Sequence, residues 1–168
     1  GQNGKRSIKI TDETDAPLVK ISEEGVSFRS HIDGSLHVFT PEKSIEVQSV
    51  LGADICIAFD ECTYYPAAEK YCREAMERTH HWALRCLATA QSKLQEYQAL
   101  YGVVQGGVYE DLRKQSAMFI NNQPFDGIAI GGVSVGESKK EMINVLDWTV
   151  PFLDENKPRH LLGVGEID

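Results

Sequence analysis

The sequence has 168 residues, 42% of them hydrophobic, and a formal charge of −8. That is enough chain for one domain with a packed core. No apolar run approaches the roughly 20 residues of a membrane span, and the opening GQNGKRSIKI has no signal-peptide apolar region, so a cytoplasmic protein without membrane contact is expected. The four cysteines (Cys56, Cys62, Cys72 and Cys86) include no CxxC pair, which favours reduced thiols over a zinc site or disulfides. The acidic balance argues mildly against a phosphate-binding surface.

In chain order, residues 1–16 are expected to be flexible. APLVKIS and GVSFRSHI, separated by Glu23-Glu24-Gly25, read as a β-hairpin, and Asp33-Gly34 as a second turn into SLHVF. The pattern then becomes helical. Thr40 is a candidate N-cap, Pro41 the first helical residue, and the helix should end near Gly52. DICIAF is a short apolar run, predicted as a strand buried on both faces. Ala67 to about Leu94 reads as a helix, with Ala68, Tyr71, Cys72, Ala75, Met76, Thr79, Ala83 and Cys86 on its apolar face. LYGVVQGG, FDGIAIGG and RHLLGVG read as three further strands. Between them lie the helices YEDLRKQSAMFIN and SKKEMINVLDWTVPFL, the second opened by a Ser138/Glu141 capping box.

Strands alternating with helices predict a parallel α/β architecture. Function in such folds collects at the carboxyl ends of the strands, and here those ends read FDEC, VQGG, IGG and GVG. A (β/α)8 barrel needs about 250 residues. HLLGVGEID stops where another helix should begin, so the chain reads as the central portion of a longer barrel, 1–168 forming part of one catalytic domain. A partial barrel exposes strand edges.

Asp60 and Glu61 are adjacent on an extended segment and should point to opposite faces, with Asp60 the one facing the pocket. Capping of the following turn is the alternative role for Asp60. Gln105 ends the next strand with a donor and an acceptor, and Gly106 and Gly107 permit close backbone approach. Gly131 and Gly132 resemble a phosphate-cradling pair but lack the surrounding motif. A carboxylate, an amide and a backbone N–H are together complementary to a guanine edge, which offers N–H donors at N1 and N2 and an acceptor at O6. A purine-like base pocket is therefore one reading. A sugar phosphate held on the glycine loops is another. His80, His81 and Trp82 read as surface and packing residues.

GVSFRSHIDGSLHVFTPEKSIEVQSVLGADICIAFDECTYYP, YGVVQGGVYEDLR, FDGIAIGGVSVGE and KPRHLLGVGEID closely resemble the middle of the tRNA-guanine transglycosylases, also called queuine tRNA-ribosyltransferases, over residues 20–168. The resemblance implies a TIM barrel with an inserted zinc subdomain. It also implies exchange of the wobble guanine of certain tRNAs for a 7-deazaguanine, in queuosine biosynthesis, by a homodimer. On that basis Asp60 holds the guanine-like edge, and Gln105 and Gly132, beside Gly131, bind the base carbonyl. Cys62 is a pocket cysteine of the bacterial type. Val133 and Val135 stand in the loop near the 7-substituent, which Glu137 supports, and Leu162 lines the pocket. Gly163, Val164, Gly165, Glu166, Ile167 and Asp168 begin a tRNA-contacting segment.

The sequence departs from the family pattern where LMGVG reads LLGVG and GGLAVGE reads GGVSVGE, both near the base. The resemblance places the acid-base aspartate before Gly1 and the nucleophilic aspartate and zinc ligands after Asp168. No catalytic or metal residue is therefore expected within the chain, and zinc is expected only of the full-length enzyme. The chain alone is expected to recognise base without catalysing exchange. A catalytically silent subunit that binds tRNA or a partner is the alternative.

Overall fold

A computed structural model describes residues 19–165; the expectations for residues 1–16 and for Glu166, Ile167 and Asp168 fall outside them. The first unit is an antiparallel meander of β1 (Val19–Ser22), β2 (Gly25–Arg29) and β3 (Leu36–Phe39). Ser22 pairs with Gly25, so Glu23 and Glu24 alone make the first turn and Gly25 belongs to the strand. A side chain at Gly25 would meet the Phe39 carbonyl oxygen at 2.3 Å, which explains why the strand begins on glycine.

Thr40 then caps α1 (Pro41–Leu51), accepting from the Lys43 N–H, and Gly52 closes it in the left-handed conformation at φ 72°. Val50 and Leu51 stay exposed: they continue the apolar sequence pattern, but the helix buries Ile45 and Ser44 instead. From here the chain alternates β4 (Ile55–Ile57), α2 (Glu69–Lys93), β5 (Ala99–Val104), α3 (Glu110–Asn121), β6 (Gly127–Ile130), α4 (Lys139–Thr149) and β7 (Arg159–Leu161), with a single 3-10 turn after α4. The Ser138/Glu141 capping box is present in full.

The four strands are parallel and lie in the order β4-β5-β6-β7. Strict sequence order distinguishes this sheet from a doubly wound one. With the right-handed crossovers that parallel strands almost always make, the chain advances in one direction and the helices share one face, as in a segment of (β/α)8 barrel. The chain is thus α/β, a three-stranded antiparallel sheet followed by a barrel-type run of four strands. β4 departs from expectation. Cys56 is buried, but Ile55 is 52% exposed, because β4 has no outer neighbour among the described residues.

The core lies between sheet and helices, around Ile45, Cys56, Cys86, Leu100, Val104, Ile120, Ile128 and Ile130. Trp82 on α2 is fully buried, stacks on Phe59 at 4.8 Å, and donates its indole N–H to the Glu23 carbonyl at 2.8 Å. Arg85 grips both Glu42 oxygens at 2.7 and 2.8 Å and also donates to the Glu23 and Glu24 carbonyls. These bonds tie the first turn, α1 and α2 into one body.

Candidate functional site

Backbone pairing extends one residue past β4, β6 and β7: Ala58 N–H to Tyr101 O, Gly131 N–H to Val104 O, and Leu162 N–H to Ile130 O. The segments beginning at Asp60, Gln105, Gly131 and Leu162 therefore leave the sheet side by side at its carboxyl end. Asp60 and Glu61 diverge there as extended geometry requires. Glu61 turns into the protein, 4% exposed, where it pairs with Arg78 and accepts from the Tyr71 hydroxyl at 2.7 Å. Asp60 instead accepts from Gln105 Nε2 at 2.6 Å. An apolar hollow of Val26, Phe28, Phe39 and Phe59 opens beside it. That burial raises the Asp60 carboxyl above its ordinary value, against the opposing effect of the Gln105 bond.

Gln105 is almost fully buried, and its Oε1 has no hydrogen-bond partner among the described residues. Buried side-chain acceptors are nearly always satisfied, and an orphan costs about 1–3 kcal/mol. Its backbone N–H is held by Ser116 Oγ at 3.1 Å, and the same hydroxyl meets His80 Nε2 at 3.1 Å. His80 is buried and stacks on Phe119 at 4.1 Å; burial depresses its pKa to about 4, keeping it neutral. The Gln105 amide packs closely against the glycine pair. A side chain at Gly131 would meet Nε2 at 2.7 Å, and one at Gly132, where φ is +64°, would meet Oε1 at 2.3 Å.

Cys62 is exposed and close enough to the cluster that burial, with the Asp60 charge next, pushes its thiol up, while a backbone hydrogen bond from Gly132 opposes the rise. Past the glycines, Val133 is buried and Val135 is 37% exposed. Between them Ser134 adopts a left-handed φ of 63°. Glu137 reaches back to accept from the Ser134 N–H and, at 2.9 Å, from the Val135 N–H. Its partial burial raises its carboxyl pKa, but these backbone donors together outweigh that and leave it lowered. Tyr65 donates to Glu141 at 2.7 Å and so fastens the segment after Asp60 to the start of α4. Leu162 is half-buried, and Gly163 sits 3.4 Å, measured from an ideal Cβ, from the Val133 carbonyl and the Ser134 side chain. Val164 and Gly165 are exposed. The structure thus brings together Asp60, Cys62, Gln105, Gly131, Gly132, Val133, Val135, Glu137, Leu162 and Gly163 at one end of the sheet.

Sequence reasoning missed Arg113. Its side chain is completely buried and donates to four backbone carbonyls: Gly107 at 2.6 Å, Val104 at 3.3 Å, Gly131 at 2.7 Å and Gly132 at 2.9 Å. Burial lowers its pKa to about 10, so it remains charged at neutral pH. The signal was present in the helix period, since Arg113 shares the buried face of α3 with Leu112, Ser116, Ala117 and Ile120.

A parallel sheet in strand order, with an acid, an amide and a glycine pair gathered at its carboxyl end, defines a barrel-type domain with a candidate site where such folds bind ligands. The family model for queuine tRNA-ribosyltransferase matches residues 8–168, and the chain belongs to that family. It is 57% identical over 152 residues to the queuine tRNA-ribosyltransferase of Pelotomaculum thermopropionicum, covering 90% of this chain and 40% of that protein. It is 56% identical over 149 residues to that of Herpetosiphon aurantiacus, covering 89% and 37% respectively. To that of Roseiflexus sp. it is 47% identical over 167 residues, covering 94% and 42%. The chain spans about 40% of the length of these curated relatives. The described residues do not fit the zinc expected of the full-length enzyme: no three of their His, Cys, Asp or Glu side chains converge, and Cys56, Cys72 and Cys86 are each buried apart in the core. No helix among them is long and apolar enough to cross a membrane.

Proposed function

We propose that this chain carries the base-recognition part of a tRNA-guanine transglycosylase, which exchanges the wobble guanine of tRNA for a 7-deazaguanine in queuosine biosynthesis. The observation that carries this reading is the buried Gln105 amide, bonded to Asp60 through Nε2 and left without a partner at Oε1. An ionised Asp60 accepts the two N–H donors of a guanine-type edge, each charge-assisted bond contributing roughly 1.5–3 kcal/mol. The second N–H of Gln105 Nε2, the one not given to Asp60, and the Gly132 N–H serve the base carbonyl, while the partnerless Oε1 is open to a ligand N–H. Val133 and Val135 flank the 7-position, where Glu137 fixes the loop. Gly163, Val164, Gly165, Glu166, Ile167 and Asp168 begin the surface that meets tRNA.

In the whole enzyme an aspartate attacks the ribose anomeric carbon, guanine leaves, and the incoming base displaces the aspartate. In this proposal that nucleophile and the acid-base aspartate come from outside the chain, as do the zinc ligands and the homodimer contacts. Asp60, Gln105 and Gly132 hold each base in turn.

The test is calorimetric titration of the 168-residue chain with aminomethyl-7-deazaguanine, beside Asp60→Asn. Saturable binding abolished by the substitution is expected. Equal binding by both proteins would remove Asp60 from the site, and binding of inorganic phosphate that ignores Asp60 would favour the sugar-phosphate reading. No saturable binding by the folded wild-type chain would overturn the view that it recognises base by itself.

A further inference from the structure

Arg113 is a buried guanidinium that makes no direct ion pair with a carboxylate among the described residues, Glu137 acting on it only electrostatically from a distance. Burying a charge without a counter-ion is costly, and helix packing alone does not require it, because an apolar side chain would fill the same space. Its partners are all carbonyls at the strand ends: Val104, the last residue of β5, and Gly107 beyond it, and Gly131 and Gly132 after β6.

The direction of those carbonyls has a consequence for the site. In a trans peptide the C=O of one residue and the N–H of the next point opposite ways. A Gly131 carbonyl drawn inward to Arg113 Nη1 therefore turns the Gly132 N–H outward. On that side the Gly132 backbone lies near enough to Cys62 to lower its thiol pKa. The Gly132 carbonyl, held at Nη2, fixes the following peptide in the same way. A cation on the carbonyl also polarises the peptide unit and strengthens its N–H as a donor. The fork is needed for this, since a lysine ammonium is a compact point charge and cannot span four carbonyls on two strand ends. Glycine at 132 is part of the device: a side chain there would stand 3.0 Å from Arg113 Nη2.

We propose that Arg113 is a positioning residue for base recognition: it grips the strand-end carbonyls from behind and aims the Gly132 N–H into the pocket. The proposal rests on the base-recognition reading above for its ligand, but the aiming itself is observable without ligand.

The experiment compares the full chain with Arg113→Lys and Arg113→Ala by amide NMR and by titration with aminomethyl-7-deazaguanine. In the ligand-free protein, the Gly132 amide resonance should move in both variants, while that of Gly52, remote on α1, should not. Base affinity should fall about tenfold or more in both. Ethylguanidinium should restore affinity to Arg113→Ala, and ethylammonium should not, a pattern that a general loss of packing would not produce. A Gly132 amide unmoved in a folded Arg113→Lys protein overturns the proposal, as does unchanged base affinity in either variant. Should Arg113→Ala fail to fold, Arg113→Lys alone decides. A wild-type chain that binds no base would instead sink the recognition reading, and the Gly132 amide would still show whether Arg113 sets that peptide.

Discussion

Replacing Asp60 with asparagine should weaken function and strengthen the fold at once. The shape is conserved, and Gln105 Nε2, now 2.6 Å from Asp60 Oδ2, can donate to the asparagine carbonyl as well. What disappears is a charge that burial disfavours, as the raised Asp60 pKa records. A carboxyl with a raised folded pKa binds its proton more tightly in the folded state, so its contribution to stability falls as pH rises through that pKa. At neutral pH the charge is therefore a net cost, and Asp60→Asn should stabilise the chain and raise its Tm. Base binding moves the other way. Two charge-assisted bonds of roughly 1.5–3 kcal/mol each are replaced by one neutral acceptor and an amide donor facing donors. Affinity should fall by at least about a hundredfold. Scanning calorimetry and titration on the same two proteins read both effects. A Tm that falls by several degrees would refute the reasoning, since it would mean that the Asp60–Gln105 bond stabilises more than burial of the charge costs. For the wild type, base affinity should decline on acidification with a midpoint above the ordinary aspartate value of about 3.9.

Gly132→Ala forces a side chain into a left-handed backbone, 2.3 Å from Gln105 Oε1. It should lower stability by about 1–3 kcal/mol in chemical denaturation and reduce base affinity with it. Ser138→Ala removes one half of the capping box on α4 and should lower stability by about 1 kcal/mol, leaving base affinity within about twofold. His80, depressed to about 4 by burial, contributes stability that is complete above about pH 6.5 and is lost as the pH falls toward its folded pKa. Denaturation curves between those limits should slope less steeply for His80→Gln than for the wild type, whatever the substitution does to absolute stability.

Most of the fold was legible because its signals are local. Thr40-Pro41, Gly52 and the Ser138/Glu141 box mark helix ends by chemistry that needs no distant partner. The strand ends were legible for a related reason: parallel strands alternating with helices put every such end on one side. Exposure was harder to read. Val50 and Leu51 follow the helical period yet face solvent, and Ile55 lies on an edge, because burial depends on which elements arrive to cover a face. Asp60, Gln105 and Gly132 stood out as types of residue at strand ends, but their mutual contacts depend on the order β4-β5-β6, which spacing alone did not specify. Arg113 escaped notice because a charged side chain on an apolar stripe is ordinarily exposed. Only the four carbonyls converging from two strand ends account for its burial.

The pocket walls come from three successive strand ends, and the run from Asp60 to Glu137 supplies the polar cluster, its glycine floor and the arginine behind it. On the base-recognition reading, most of the recogniser is thus written in one uninterrupted stretch of gene, and a recombination that moved this stretch would carry the polar cluster with its internal supports. During synthesis these groups also emerge from the ribosome one after another, with Leu162 and Gly163 the last of the set to arrive.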